Sequence, residues 1–175
     1  MAPKSTLRYS GCVKNDAILN EFYTSFKNRD HAAMARCYHP QIAFSDPVFV
    51  GLKGKEVAAM WHMLAAKSKG TKITFSEIKT DETSGSCRWE AVYPYGPKGR
   101  MVHNSVRSQF KFQDGKIIQQ TDSFDLWKWA GMALGPVGTV LGWSGPFQSK
   151  IRKLARSALN DFISAHPEYL DSTTV

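Results

Sequence analysis

Three polar residues, Asp46, Asn104 and Asp122, stand where the surrounding apolar residues point to an interior. Burying a carboxylate without partners is costly, so such a group is paired, protonated or placed at a pocket. Asp46, in Phe44-Ser45-Asp46-Pro47-Val48, is a candidate proton-transfer base, because an apolar hollow raises a carboxyl pKa toward neutrality. It equally fits a structural role, ending a strand and bonding to turn amides before Pro47. Asp122 reads as a second acid/base or orienting group, or as a carboxylate paired with a donor such as Asn104. Asn104 reads as a pocket hydrogen-bond donor or as the cap of a strand irregularity. Phe44, Trp61, Trp89, Tyr93 and Ser108 complete a candidate ligand lining, apolar walls with few polar points. Trp61 and Trp89 also fit plain core packing.

Other chemistries lack their signatures. His31, His39, His62, His103 and His166 show no H-x-x-x-H or H-E-x-x-H spacing, so no metal site is expected. Cys12, Cys37 and Cys87 have no metal-like spacing. An odd count without C-x-x-C fits a reducing compartment, read here as the cytoplasm. Met1 to Cys12 lack the apolar run of a secretory signal. No glycine-rich phosphate loop follows a strand, and no G-x-S-x-G nucleophile motif occurs. The expected chemistry needs no cofactor.

The elements that must position these residues follow from periodicity. The 175 residues, 42% hydrophobic and 12% aromatic, suit one domain with one core. A first helix is expected from Asn15 as N-cap, with Ile18, Leu19, Phe22, Tyr23 and Phe26 at helical spacing. A short helix fits His31 to Tyr38. Ile42, Phe44 and Asp46 share one side of a short strand ended by Pro47. A turn at Gly51-Leu52-Lys53-Gly54 leads to a helix over Lys55 to Lys67. Period-two strands are then expected at 72–80, 87–95, 101–113 and 116–126, the last two joined by Asp114-Gly115.

Alternation puts Val102, Asn104, Val106, Ser108, Phe110 and Phe112 on the inner face, and His103 on the outer one. In 116–126 the two faces are nearly balanced; the side of Ile118, Gln120, Asp122 and Phe124 is taken as inner. Trp89, Ala91 and Tyr93 face inward in 87–95. Helices are expected at 127–134 and 147–165. Between them, the Gly/Pro loop Gly135 to Pro146 is expected to cover the cavity mouth, with Trp143 as a plug.

This order resembles the nuclear-transport-factor-2-like (NTF2-like) cone shared by ketosteroid isomerases and SnoaL-like polyketide cyclases. The resemblance covers roughly Asp16 to Leu126. It is carried by Phe22-Tyr23, Tyr38-His39-Pro40, Phe44-Ser45-Asp46-Pro47, the Gly51–Gly54 turn and Asp122-Ser123-Phe124-Asp125-Leu126-Trp127. It implies an α+β cone: a curved antiparallel sheet packed on three N-terminal helices, with extra C-terminal helices. It divides the chain into a flexible N-terminus (1–14), the cone (15–126), a helical extension on the same domain (127–165) and a tail (166–175).

Asp46-Pro47-Val48 is similar to the Asp-Pro-Val of the isomerases, where the aspartate moves a proton next to a carbonyl. Tyr23 matches the isomerases' early-helix tyrosine loosely. Their later-strand acid is not matched, Asn104 or Ser108 standing near its place. Asp122 matches the late-strand aspartate of the cyclases.

Two readings follow. One is a cofactor-independent isomerase or cyclase that abstracts a proton from an apolar carbonyl compound. The other is a non-catalytic small-ligand or protein-interaction module. A homodimer through the outer sheet face is a further expectation. The net charge of +8 admits anionic partners, and Lys150, Arg152, Lys153 and Arg156 give the last helix a basic face. They are read as a solvated face, with contact to an acidic membrane surface as the alternative. No nucleic-acid partner is expected, because no aromatic-basic stacking pattern occurs. The Thr173-Thr174-Val175 end is weighed as a carboxylate-capture ligand.

Overall fold

The computed structural model describes the backbone of residues 5–170 and the side chains of residues 14–170. Cys12 and the Thr173-Thr174-Val175 end therefore lie outside the described side chains.

Helix α1 (Ser5–Lys27) starts well before Asn15. Asn15 is not its N-cap: the buried amide donates to the carbonyls of Asp81 (2.8 Å) and Glu82 (3.2 Å), tying the helix to a distant turn. The stripe Leu19, Phe22, Tyr23 and Phe26 is buried as its spacing requires. Helix α2 (His31–Cys37) is capped by Asp30, whose carboxylate accepts from the Ala33 amide at 2.8 Å.

Strand β1 (Tyr38–Ser45) stops one residue before Asp46, and β2 (Leu52–Lys53) folds back on it. Helix α3 (Lys55–Lys67) and strand β3 (Lys72–Thr80) fall where periodicity placed them. Strand β4 (Ser84–Tyr95) begins earlier than alternation suggested. Strands β5 (Arg100–Gln113) and β6 (Lys116–Ser123) meet at Asp114-Gly115, whose φ values of 51° and 69° are the left-handed pair a tight hairpin needs.

The six strands form one curved sheet in the order β2-β1-β6-β5-β4-β3. Neighbours are antiparallel except β1 and β6, which run parallel with Phe44 opposite Gln120 and Ser45 opposite Thr121. That parallel pair arises because β1 enters from the helical layer rather than from a hairpin.

The inner face of β5 is as alternation assigned it: Val102, Val106, Ser108, Phe110 and Phe112 are buried and Asn104 is half-buried. In β6 the assignment needs one correction. A register shift against Lys111/Phe112 turns Ile117 inward as well, fully buried, and leaves Ile118 half-buried. His103 is exposed and pairs with Glu90 at 2.9 Å.

Beyond β6, helix α4 (Leu126–Leu134) is capped by Asp125. The expected loop from Gly135 to Pro146 is largely a helix, α5 (Pro136–Leu141). Its glycines pack against α4 instead of breaking the chain, which is why a glycine count misleads there. Trp143 is no plug: it is 67% exposed. Helix α6 (Gly145–Ser164) lies on α3, with Leu159 buried and Arg156 paired with Glu56. No described helix is long and apolar enough to cross a membrane.

Candidate active site

Sheet register brings Asp46, the residue after β1, near enough to Asp122 for its charge to reach that carboxyl. Ser45 lies opposite Thr121 in the parallel pair, and each carboxylate is the next residue along. Asp122 is buried (4% exposed) and Asp46 half-buried.

Asp46 performs the structural role its sequence allowed. Oδ1 accepts from the amides of Val48 (2.6 Å) and Phe49 (2.5 Å), and its own amide donates to the Phe49 carbonyl at 2.8 Å. Those amides favour the ionised form. Burial outweighs them and pushes the carboxyl up to about 6. Arg152 of α6 holds the same turn from outside, its Nε donating to the Pro47 carbonyl at 2.9 Å.

Asp122 is the terminus of a buried polar network. The Trp61 indole N–H can only donate, and it donates to the Tyr38 hydroxyl (2.8 Å). Tyr38 therefore passes its own hydrogen to Gln120 Oε1 (2.6 Å). This orients the Gln120 amide so that Nε2 donates to Asp122 Oδ1 (3.0 Å). A second branch comes through Ser108, directly opposite Asp122 in the β5–β6 ladder. Ser108 Oγ accepts from Tyr23 (2.9 Å) and from the Trp89 indole (2.9 Å), and its hydroxyl bonds to Asp122. Every donor and acceptor position of that hydroxyl is used. Even with these donors, burial raises the Asp122 carboxyl to about 7, and the charge of Asp46 adds to the shift. Tyr23 and Tyr38 are held well above the ordinary tyrosine value, first by burial and then by the charge on Asp122.

The remaining candidates divide between core and mouth. Trp61, Trp89 and Phe44 are core residues: Phe26 stands 4.8 Å from Trp61 and 5.3 Å from Trp89, ring to ring, and Phe44 is 5.8 Å from Trp61. They pack the deep end of the cone rather than lining open space. Ser108 is fully buried and its hydroxyl is committed. Asn104 does not serve as the partner of Asp122; Gln120 and Ser108 fill that place. Tyr93 is half-buried, accepts from the Trp129 indole (2.8 Å) and feels the charge of Asp46. Asp46, Tyr93, Asn104 and Phe124 are thus among the half-buried residues of the inner face. Two surface cavities, of about 440 and 340 Å³, lie largely against the outer sheet face, around Lys79, Gln109 and Thr121 and around Arg88 and Arg107.

Sequence reasoning missed Gln120 and Tyr38 as partners, although both are polar groups at inward or helix-flanking positions. It also missed a group of histidines. His31 stacks on His62 at 3.6 Å, and His166 lies 5.2 Å from His62, with Glu168 beside them.

Residues 19–120, more than half the chain, match the model of the SnoaL-like domain. The chain belongs to the SnoaL-like domain family. No curated protein matches it by sequence. Solved structures with the same fold include an LEH-like epoxide hydrolase of M. tuberculosis, at 18% identity and TM-score 0.58. That match covers 75% of this chain and 98% of the other. TerC, co-crystallised with polyporic acid, matches at 14% identity and TM-score 0.60, over 69% and 98%. A SnoaL-like protein of Jannaschia sp. CCS1, named for the polyketide cyclases, matches at 12% and 0.63, over 78% and 99%. At such identities these likenesses show the fold. Each of these three matches takes in nearly the whole of the other chain but leaves part of this one outside, and the family match ends before α4.

Proposed function

We infer that the protein is a cofactor-independent isomerase or cyclase that moves a proton on a small apolar carbonyl compound. One observation carries this reading: two inner carboxyl groups, the charge of one reaching the other, both raised by burial, to about 6 and about 7. Such a pair divides into base and acid near neutral pH, because ionising one disfavours ionising the other. Asp46, nearer the surface, is the base. Asp122, fed by the buried network, keeps the proton and serves as the acid. Tyr93, whose oxygen already accepts from Trp129, is placed to donate its hydrogen to a carbonyl oxygen. The substrate would enter at the mouth, between Tyr93, Asn104 and Phe124, since the deep end is filled.

The activity can be sought without knowing the substrate. Exchange of α-hydrogens of small cyclic ketones in D2O, followed by NMR, reports proton abstraction directly. Isomerisation of a β,γ-unsaturated ketone, followed by absorbance, reports its return. Asp46→Asn is expected to lower either rate by about 10²–10⁴-fold, the usual worth of a positioned base. The rate of the wild type should rise through about pH 6 as Asp46 ionises and fall above about pH 7 as Asp122 loses its proton. An Asp46→Asn variant with full activity, or a flat profile between these values, sinks the assignment.

The packed deep end leaves little room for a small ligand and favours one second reading, a protein-interaction module without chemistry. It predicts no exchange by the wild type and no small-ligand retention.

A further inference from the structure

Helix α5 is built inside out for a protein surrounded by water. Gly138 and Gly142, four apart, face α4. A Cβ at Gly138 would stand 1.9 Å from the Ala130 carbonyl oxygen, and one at Gly142 would stand 2.8 Å from the Trp127 ring. The opposite face carries Val137, Val140 and Leu141, at the spacing of one helical stripe, and they are 56%, 66% and 45% exposed. Trp127 and Trp143 extend the same apolar display. Small residues at the helix contact with large apolar residues outside is the arrangement of helices packed in lipid.

The polar atoms of this segment are also arranged for a dry environment. The carbonyls ending α5 have no helical successor and would ordinarily turn to water. Here Thr139 O accepts the Trp127 indole N–H, and Val140 O accepts that of Trp143. Leu141 O accepts the Ser144 amide and hydroxyl, and Gly142 O accepts the Gln148 side chain. Both exposed tryptophans have their one donor satisfied inside the segment. Their rings can leave water without stranding a polar group.

Charge identifies the occupant. No charged residue occurs between Lys128 and Lys150, and no acidic one between Asp125 and Asp161. Lys128, Lys150 and Lys153, all exposed, belong to the stretch around the apolar display. A second copy docked face to face would oppose these cations to their equals. An anionic lipid surface complements them. The helices are too short to span a bilayer, so the contact is interfacial.

We propose that the α4–α5 hairpin is a membrane-surface anchor that seats Val137, Val140, Leu141 and Trp143 among the headgroups of an anionic bilayer. The test uses the full chain and vesicles of phosphatidylcholine with phosphatidylglycerol, against pure phosphatidylcholine. The protein is expected to sediment with the anionic vesicles, with a blue-shifted tryptophan emission. Val140→Ser/Trp143→Ser should weaken that binding about tenfold or more while preserving the melting curve, because apolar area drives the insertion. Should that variant not fold, Lys150→Glu/Lys153→Glu is expected to abolish the preference for anionic lipid. Failure of the wild type to sediment overturns the proposal, as does equal binding by the variants. A wild-type dimer that Val140→Ser/Trp143→Ser converts to a monomer, without vesicle binding, would assign the face to pairing between copies.

Discussion

Asp122→Asn is expected to make the protein more stable at pH 8 than the wild type and to flatten its stability between pH 4 and pH 8. Folded Asp122 holds its proton up to about pH 7, against an ordinary value of 3.8. Between those values the folded state binds more protons than the unfolded one. Stability from this group is therefore complete below about pH 4 and is lost as pH rises through about 7. A difference of about three pH units, at about 1.4 kcal/mol each, amounts to roughly 4 kcal/mol. For a chain of this size that is on the order of 10 °C in melting temperature. Asp46, raised to about 6, contributes in the same direction and to a smaller extent. Asparagine is neutral throughout and can still accept from Gln120. Melting temperatures of both proteins from pH 4 to 8 check this. Parallel curves would show that Asp122 is ionised throughout and that its network outweighs its burial.

Ser108→Ala is expected to destabilise the protein by about 3–6 kcal/mol. The change removes one oxygen and almost no volume, so a packing defect cannot account for a loss of that size. It leaves the Trp89 indole without an acceptor, one bond to Asp122 unmade and the Tyr23 hydroxyl with only the Cys87 thiol beside it, all in a fully buried place. Each buried polar group left unmatched costs about 1–3 kcal/mol. Ser105→Ala, three residues away on the exposed face of the same strand, should change stability by no more than about 0.5 kcal/mol. Urea unfolding of the two variants measures the contrast. A loss below about 1 kcal/mol for Ser108→Ala would mean that water or a rotated Tyr23 replaces the hydroxyl.

What the sequence made legible was the part governed by local periodicity. Lys55–Lys67 carries an apolar stripe and Lys72–Thr80 alternates as far as Phe75, before a bulge at Glu77 (φ 55°), and both elements fall at the expected residues. Asp114-Gly115 marks its hairpin because few other residues tolerate those φ angles. The face of β5 was readable because its six inner positions alternate without interruption.

Features set by distant contacts were not readable. The shift that turns Ile117 inward depends on how β6 meets β5, and no composition signals it. Helix α5 is hidden by glycines that serve helix contact rather than chain breaking. Asp122 was placed inside correctly, but its partners Gln120 and Ser108 depend on side-chain orientation. His31, His62 and His166 come from three separate elements, so their grouping has no linear trace.

Ser108 has a consequence for how this chain can diverge. Threonine would bring the hydroxyl with a methyl group for which a fully buried site leaves no space, and alanine removes a bond from each of three partners. The position is therefore closed unless Tyr23 and Trp89 change with it. Phenylalanine at 23 and an apolar ring at 89 would remove two of the serine's three ties together, leaving the bond to Asp122, whereas either alone would remove one. Among descendants of a common ancestor, these three residues should be inherited or replaced as one unit, although 85 positions separate the first from the last of the hydrogen-bonded pair Tyr23 and Ser108.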